Sequence, residues 1–306
     1  MRSGWAGATT RGYFSMRHKA RDLTKYLVSG PPMLFMLVMF AAPSAIMVLA
    51  SFRYPGEYGG LAPLAAAADT LHGLTLETYR FFFSDFIYTE VFIKSIAMAA
   101  GTTLICLMLA YPLALLIARS PKRELLVLLV ILPFASNFLI RVYAWMIVLG
   151  PQSALSGLLN GMLQLFGIAP LQLLFSPFAV LIAMVYAHLP FMVLPLYANL
   201  EKHDPRLLDA AQDLGANAWQ RFWRVTFPLS LPGVYSGSAL VFIPALGVFV
   251  IPEILGGTRD MLIGNLIKEQ FLVTRDWPFG ATLAMVLTLA VMLIAWLAGR
   301  LGAKNA

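Results

Sequence analysis

Charge is scarce in this sequence. Only 12% of its 306 residues are Asp, Glu, Lys or Arg, against about 25% in soluble domains. Hydrophobic residues make up 59%, and mean hydropathy is +0.77. That balance excludes an aqueous surface over most of the chain and places it in lipid. Cysteine is nearly absent. Cys106 stands alone inside an apolar run, so an internal disulfide and a cysteine zinc site are both excluded. It reads as a small packing residue rather than a reactive thiol. There is no Gly-x-x-x-x-Gly-Lys-Ser/Thr loop, so the chain is not expected to bind ATP itself. No two histidines have metal-ligand spacing, and no catalytic constellation stands out. No metal, cofactor or enzymatic activity is therefore expected on this chain.

What is present is a series of long apolar runs. A helix needs about 20 mostly apolar residues to cross a hydrocarbon core of about 30 Å. Six runs qualify: 33–52, 95–118, 125–149, 178–200, 233–255 and 280–299. The third contains Arg141. Pro43, Pro112, Pro133, Pro190, Pro195, Pro244 and Pro252 fall within the runs, and kinks are expected there. Membrane bundles tolerate such kinks because neighbouring helices re-satisfy the freed backbone. The fold class expected is all-α, a polytopic membrane protein of six spans.

The formal charge of +7 and pI of about 9.6 would fit a nucleic-acid partner. The placement of the cations argues otherwise. Arg2, Arg11, Arg17, Lys19, Arg21 and Lys25 precede the first run. Arg119, Lys122 and Arg123 fill the turn after the second. Lys202, Arg206, Arg221 and Arg224 lie between the fourth and fifth, and Arg300 and Lys304 follow the sixth. The opposite loops hold Arg53, Arg80, Lys94, Arg259, Lys268 and Arg275. Loops rich in Lys and Arg stay cytoplasmic, so both termini are expected there. The first run is too long for the apolar core of a cleaved signal peptide and reads as an uncleaved anchor. The basic balance then serves topology and anionic lipid, and no nucleic-acid role is expected.

Two external segments are long enough to be structured. Segment 53–90 carries Phe81, Phe82 and Phe83, which suggest an interfacial helix. Segment 150–177 has no charge and reads as a helix over 154–166, a turn at 167–170 and a return, packed on protein or interface.

One cytoplasmic stretch breaks the apolar pattern. Asp204 and Pro205 signal a helix start. Leu207, Leu208, Ala211 and Leu214 then recur at helical spacing. Gly215 is placed to end that helix in the left-handed conformation. A second short helix is expected over 218–225 with Trp219, Phe222 and Trp223, and Pro228 and Pro232 close the segment. Small Ala210 and Ala211 permit close approach, and exposed aromatics are typical interface anchors. The alternative is an amphipathic hairpin lying on lipid headgroups.

The run Asp209-Ala-Ala-Gln-Asp-Leu-Gly215, nine residues, then Val225-Thr-Phe-Pro228 resembles the loop that defines ABC importer permeases. The family pattern is Glu-Ala-Ala, three residues, Gly, nine residues, Ile-x-Leu-Pro. Asp209 stands for Glu, Val225 for Ile and Phe227 for Leu. The stretches 131–150, 185–204, 241–257 and 261–281 extend the likeness over about 30–300. They look like the spermidine/putrescine importer permeases, with Leu139–Trp145 and Arg275–Pro278 most specific to that branch.

The resemblance implies a type I ABC importer permease fold. A cytoplasmic segment would span 1–30, the permease domain 31–300 with its coupling segment at 201–232, and a tail 301–306. It implies that Asp209, Ala210, Ala211, Gly215, Trp219, Phe222 and Pro228 belong to a coupling element docked on an ATPase. The partners implied are two ATPase subunits holding ATP and Mg, a second homologous permease and a periplasmic solute-binding protein, in a bacterial inner membrane. The cargo implied is a polyamine; another small solute remains the alternative. A membrane-embedded enzyme or scaffold is the rival from another class, and the spans offer few polar groups for it.

Single residues add candidates. Arg141 either lines the pathway, pairs with a subunit acid or snorkels to headgroups. Glu253, Tyr143 and Trp145 are candidate pathway residues, since polyamine cations need carboxylates and aromatic faces. Interface-belt aromatics and a solvated acid are the plainer reading. His188 reads as kink packing rather than a proton relay. Gly256 and Gly257 read as a turn, and Asp276 and Trp277 as an interfacial cap and anchor.

Overall fold

Among residues 8–62, 74–258 and 260–303, which the computed structural model describes, the secondary structure is helices joined by turns and loops, with one isolated bridge between Pro55 and Leu61. Arg2, Asp69, Arg259, Lys304 and the tail 304–306 lie outside the described residues. So do the side chains of Arg11, Arg17, Lys19, Arg21 and Lys25. In chain order the helices are α1 (Ala8–Ser51), α2 (Glu77–Ser84), α3 (Phe86–Arg119), α4 (Arg123–Ile131), α5 (Phe138–Val148), α6 (Ala154–Leu165) and α7 (Pro177–Leu200). They continue as α8 (Arg206–Asp213), α9 (Ala218–Arg221), α10 (Phe227–Gly247), α11 (Val250–Leu255), α12 (Ile263–Leu272) and α13 (Trp277–Ala303).

Five helical stretches are long and apolar enough to cross a membrane: Ser29–Ser51, Phe86–Arg119, Pro177–Leu200, Ala218–Gly247 and Trp277–Trp296. The third expected span is present as a bent pair, which brings the candidate spans among the described residues to six. The run 125–149 is not one helix but two limbs bent by 88°. A 3-10 turn at Leu132–Ala135 contains Pro133, which has no N–H to continue the ladder. Ser136 is extended, and the Asn137 carboxamide oxygen accepts the Leu139 N–H at 2.8 Å to start α5 afresh. Hydropathy cannot register this bend because both limbs are apolar.

The fifth span is corrected. It begins upstream of 233 and ends at Gly247, and Val250–Leu255 is a separate short helix. Glu253 therefore sits on α11, not at the end of a continuous span. The second span starts at Phe86 rather than 95, so Lys94 is a helix residue and not a loop cation. At about 1.5 Å per residue its 34 residues extend about 50 Å, well beyond a hydrocarbon core.

The core is built by α3, α7 and α10. Small residues let these helices approach, since apolar side chains gain little from leaving lipid. On α3 the buried stripe is Ala99, Thr102, Cys106, Ala110 and Ala114. Cys106 is fully buried with its thiol against the Val185 carbonyl, which bears out packing rather than reactivity. On α10, Gly233 and Gly237 are four residues apart and face α7. A Cβ on Gly233 would lie 2.8 Å from Asn199 Cβ, and one on Gly237 would lie 2.8 Å from Met192 Sδ. His188 is buried on α7 with Nδ1 2.8 Å from the Met184 carbonyl, four residues back.

The peripheral segments pack partly as expected. Phe82 is buried and Phe81 rests on Phe279 and Tyr88, so α2 is docked on α13 and α3. Phe83 and, in part, Phe81 keep the outward position of an interfacial helix, while Phe82 does not. On α6 the buried residue is Ser156, while Leu158, Met162 and Leu165 face outward. Gly167 turns the chain at φ +71°. Thr282 of α13 bonds the Ser51 carbonyl and Thr78, tying α1, α2 and α13 together.

Candidate functional site

Two features at opposite ends of α10 carry chemistry. The first is the hairpin between α7 and α10. Asp204 Oδ1 accepts the Arg206 N–H at 3.0 Å and opens α8. The helix closes with paired reverse bonds, from Gly215 N–H to the Gln212 carbonyl at 2.8 Å and from Ala216 N–H to the Ala211 carbonyl at 3.0 Å. This closure needs a left-handed residue after the helix. Gly215 supplies it at φ +82°, with open space where a Cβ would stand. Glycine is required there by backbone conformation alone.

A capping box then restarts the chain. Asn217 Oδ1 accepts the Gln220 N–H at 2.8 Å, and Gln220 Oε1 accepts the Asn217 N–H at 3.0 Å. The Arg221 guanidinium donates to Gln212 Oε1 at 2.6 Å and staples the two short helices. The hairpin is thus rigid by its own bonds.

The expected second helix over 218–225 is corrected. α9 passes through a π turn, Phe222–Thr226, straight into α10. Pro228 and Pro232 do not close the segment; they lie within α10. The cause is local. The ring of Pro228 would clash with the carbonyl four residues back. The Phe227 N–H instead reaches the Phe222 carbonyl five residues back, which widens the turn. The hairpin is therefore continuous with a helix long and apolar enough to cross a membrane.

An aromatic cluster braces this junction. Trp219, Phe222, Trp223 and Phe227 pack with centroids 5.0–6.4 Å apart. Phe222 and Phe227 also contact Tyr111 of α3 at 5.5 and 6.1 Å. The outer face is left open. Asp209 and Ala210 are exposed, Ala211 is half-buried, Leu214 is 88% exposed and Trp219 is 70% exposed.

The second feature lies beyond the far end of α10. Val248 and Phe249 interrupt the span, and their backbone is cradled by α12. Asn265 Nδ2 donates to the Phe249 carbonyl at 2.8 Å. Gly264 lies so close that a Cβ would meet the Gly247 and Val248 carbonyl oxygens at 2.7 and 2.8 Å. Beside this break a cleft of about 480 Å³ opens between α11 and α12, lined in part by Glu253, Asn265, Lys268 and Glu269. Lys268 forms an ion pair with Glu253 and lies 5.9 Å from the Phe249 ring centroid. Lys94 of α3 bonds Asp260 Oδ1 at 3.2 Å, and Asp260 Oδ2 accepts the Gly257 N–H at 3.0 Å. These contacts clip the loop after α11 to the core, and the turn at Gly256–Gly257 stands as expected.

The four candidate pathway residues do not converge. Glu253 pairs with Lys268. Trp145 packs on Tyr186 at 5.5 Å, while Tyr143 is exposed. Arg141 stands in the first turn of α5, its guanidinium carbon 4.6 Å from the Phe134 centroid and 5.8 Å from that of Phe138. Its buried Nε has no hydrogen-bond partner among the described residues. Asp276 Oδ1 accepts the Phe279 N–H at 3.0 Å and caps α13 as expected. Sequence reasoning missed the cleft and Lys268. The available signal was one aromatic and several charges, Phe249, Glu253, Lys268 and Glu269, gathered around a Gly-Val-Phe break.

Comparisons with known proteins agree with this architecture. The family model for the inner membrane component of binding-protein-dependent transport systems matches residues 103–303. The chain is 45% identical over 225 residues to a spermidine/putrescine transport system permease protein PotB of Haemophilus influenzae, covering 72% of this chain and 77% of the relative. It is 46% identical over 224 residues to PotB of Escherichia coli K12, covering 71% and 80%. Among solved structures, a bacterial alginate ABC transporter in complex with an alginate-bound periplasmic protein aligns with TM-score 0.72 at 16% identity, covering 94% of this chain and 96% of that one. That likeness concerns the fold.

Proposed function

The chain belongs to the family of binding-protein-dependent transport system inner membrane components, and from that premise we propose that it carries polyamines as the permease subunit of an ATP-driven importer. It is a transport permease, not an enzyme, and ATP hydrolysis belongs to a separate subunit of such importers. The cargo reading is supported by 45–46% identity to permeases named for spermidine and putrescine.

In this reading the complex holds two ATPase subunits with ATP and Mg, this chain, a second homologous permease and a periplasmic binding protein. The hairpin faces the cytoplasm with both termini. Asp209, Ala210, Ala211, Gly215, Trp219, Phe222 and Pro228 form the coupling element. ATPase closure displaces the hairpin, and α10 passes the movement to the break at Val248–Phe249. The supporting observation is the continuity from α9 through the π turn into α10, beneath a self-stapled hairpin with Leu214 and Trp219 exposed. A lipid-lying hairpin has no need of such a rigid link.

The test is transport by the complete complex in proteoliposomes. Labelled spermidine or putrescine should accumulate only with ATP and Mg on the hairpin side. ATP-driven uptake of another solute with no polyamine uptake would contradict the cargo; no ATP dependence would contradict the coupling.

A further inference from the structure

Lys268 shows what the cleft between α11 and α12 is built to hold. Its ammonium contacts the Glu253 carboxylate and stands over the Phe249 ring. A carboxylate supplies charge-assisted hydrogen bonds to an ammonium, and a ring face supplies the cation–π attraction. Together they form a recognition site for a primary alkylammonium, and the ammonium now in it is the protein's own.

The frame around this site is fixed while its occupant is not. Asn265 and Gly264 lock the backbone that carries Phe249. Glu253 and Lys268, by contrast, keep side-chain exposures of 44% and 32%, and exposed ion pairs contribute little net stability. Withdrawing Lys268 would leave Glu253 and a second carboxylate, Glu269, lining the same cleft. Among the described residues the lining then presents two carboxylates, with Pro252, Met261 and Val273 as apolar surface for an aliphatic chain.

We propose that this cleft is a cargo site for the terminal ammonium of a diamine or longer polyamine, and that Lys268 is a tethered ammonium which the cargo displaces. The proposal rests on the polyamine reading above. It also gives a means of discrimination. A tethered group competes at an effective concentration that can reach the millimolar range. A monoamine offers Glu253 no more than Lys268 already does. A diamine adds a second charge for Glu269 and so wins the exchange.

The test uses the complete transporter in detergent with its lysines converted to isotope-labelled dimethyl-lysine, which keeps the positive charge. The Lys268 resonance is assigned by its loss in K268R. Spermidine or putrescine at millimolar concentration should move it to the position it has in E253Q, and propylamine should move it far less. A resonance unmoved by spermidine overturns the proposal, as does an equal movement with sodium chloride at matched ionic strength. K268M keeps the stem and removes the rival ammonium. Propylamine should then inhibit spermidine uptake at about tenfold lower concentration, and an unchanged inhibitory concentration counts against displacement. Wild-type uptake separates the two claims. If spermidine is transported while the resonance stays fixed, only the site fails; if spermidine is not transported, the polyamine reading fails first.

Discussion

Tyr111 and Ser230 share a hydrogen bond of 2.7 Å between buried hydroxyls on α3 and α10. Its direction follows from the rest of the geometry. Ser230 has one proton and places its hydroxyl 2.8 Å from the Phe227 carbonyl, so the Tyr111 O–H donates to Ser230 Oγ. The two substitutions at this pair are therefore unequal. Tyr111→Phe removes the donor and leaves Ser230 satisfied, at a cost of about 1 kcal/mol. Ser230→Ala strands a buried phenol, at about 1–3 kcal/mol. Thermal unfolding of the purified complex should rank Ser230→Ala below Tyr111→Phe, and the reverse order would overturn the assignment.

Gly215 is constrained by conformation and not by space. Gly215→Ala should cost about 1–2 kcal/mol although no neighbour is near. Gly215→Asn should cost less, because Asn visits the left-handed region more readily. The loss is local, so hydrogen exchange should rise over 206–221 while the membrane helices keep their protection. Equal protection in Gly215→Ala and wild type would show that the hairpin does not depend on this turn.

Gly264 and Gly237 make a contrasting pair. A Cβ at 264 meets two backbone carbonyl oxygens, which cannot move aside without disturbing the break at Val248–Phe249. A Cβ at 237 meets first the sulfur of Met192, a flexible side chain. Gly264→Ala should lose several kcal/mol by distorting or unseating α12, whereas Gly237→Ala should lose about 1–3 kcal/mol by overpacking. Thermal melts of the two variants in the same detergent give the comparison, and a milder Gly264→Ala would contradict the close approach.

Much of this was legible in the sequence, and the gaps have physical causes. Runs 178–200 and 280–299 fell close to α7 and α13 because apolar length alone defines them. The first half of the hairpin was legible because Asp204, Pro205 and Gly215 encode its start and stop locally; the capping box of Asn217 and Gln220 was an equally local signal that went unread. The bend at Leu132–Ala135 was not, because it changes direction without changing polarity. The π turn escaped because Pro228 signals a break equally well with or without one. The clip between Lys94 and Asp260 joins residues 166 positions apart, a relationship no local pattern records. Lys268 was counted as a loop cation, and only the packing of α12 beside α11 brings it to Glu253.

The scarcity of cysteine provides the most direct test of the coupling claim. Cys106 is buried, so a cysteine placed at exposed Ala210 is the one accessible thiol of this chain, and it can be labelled with a photocrosslinker in a transporter whose partner subunits are made free of cysteine. The account predicts capture of the ATPase subunit from position 210 and none from a matched cysteine at Thr258, near the other end of α10. Capture of lipid alone from position 210, in a complex that still transports spermidine with ATP, would contradict it.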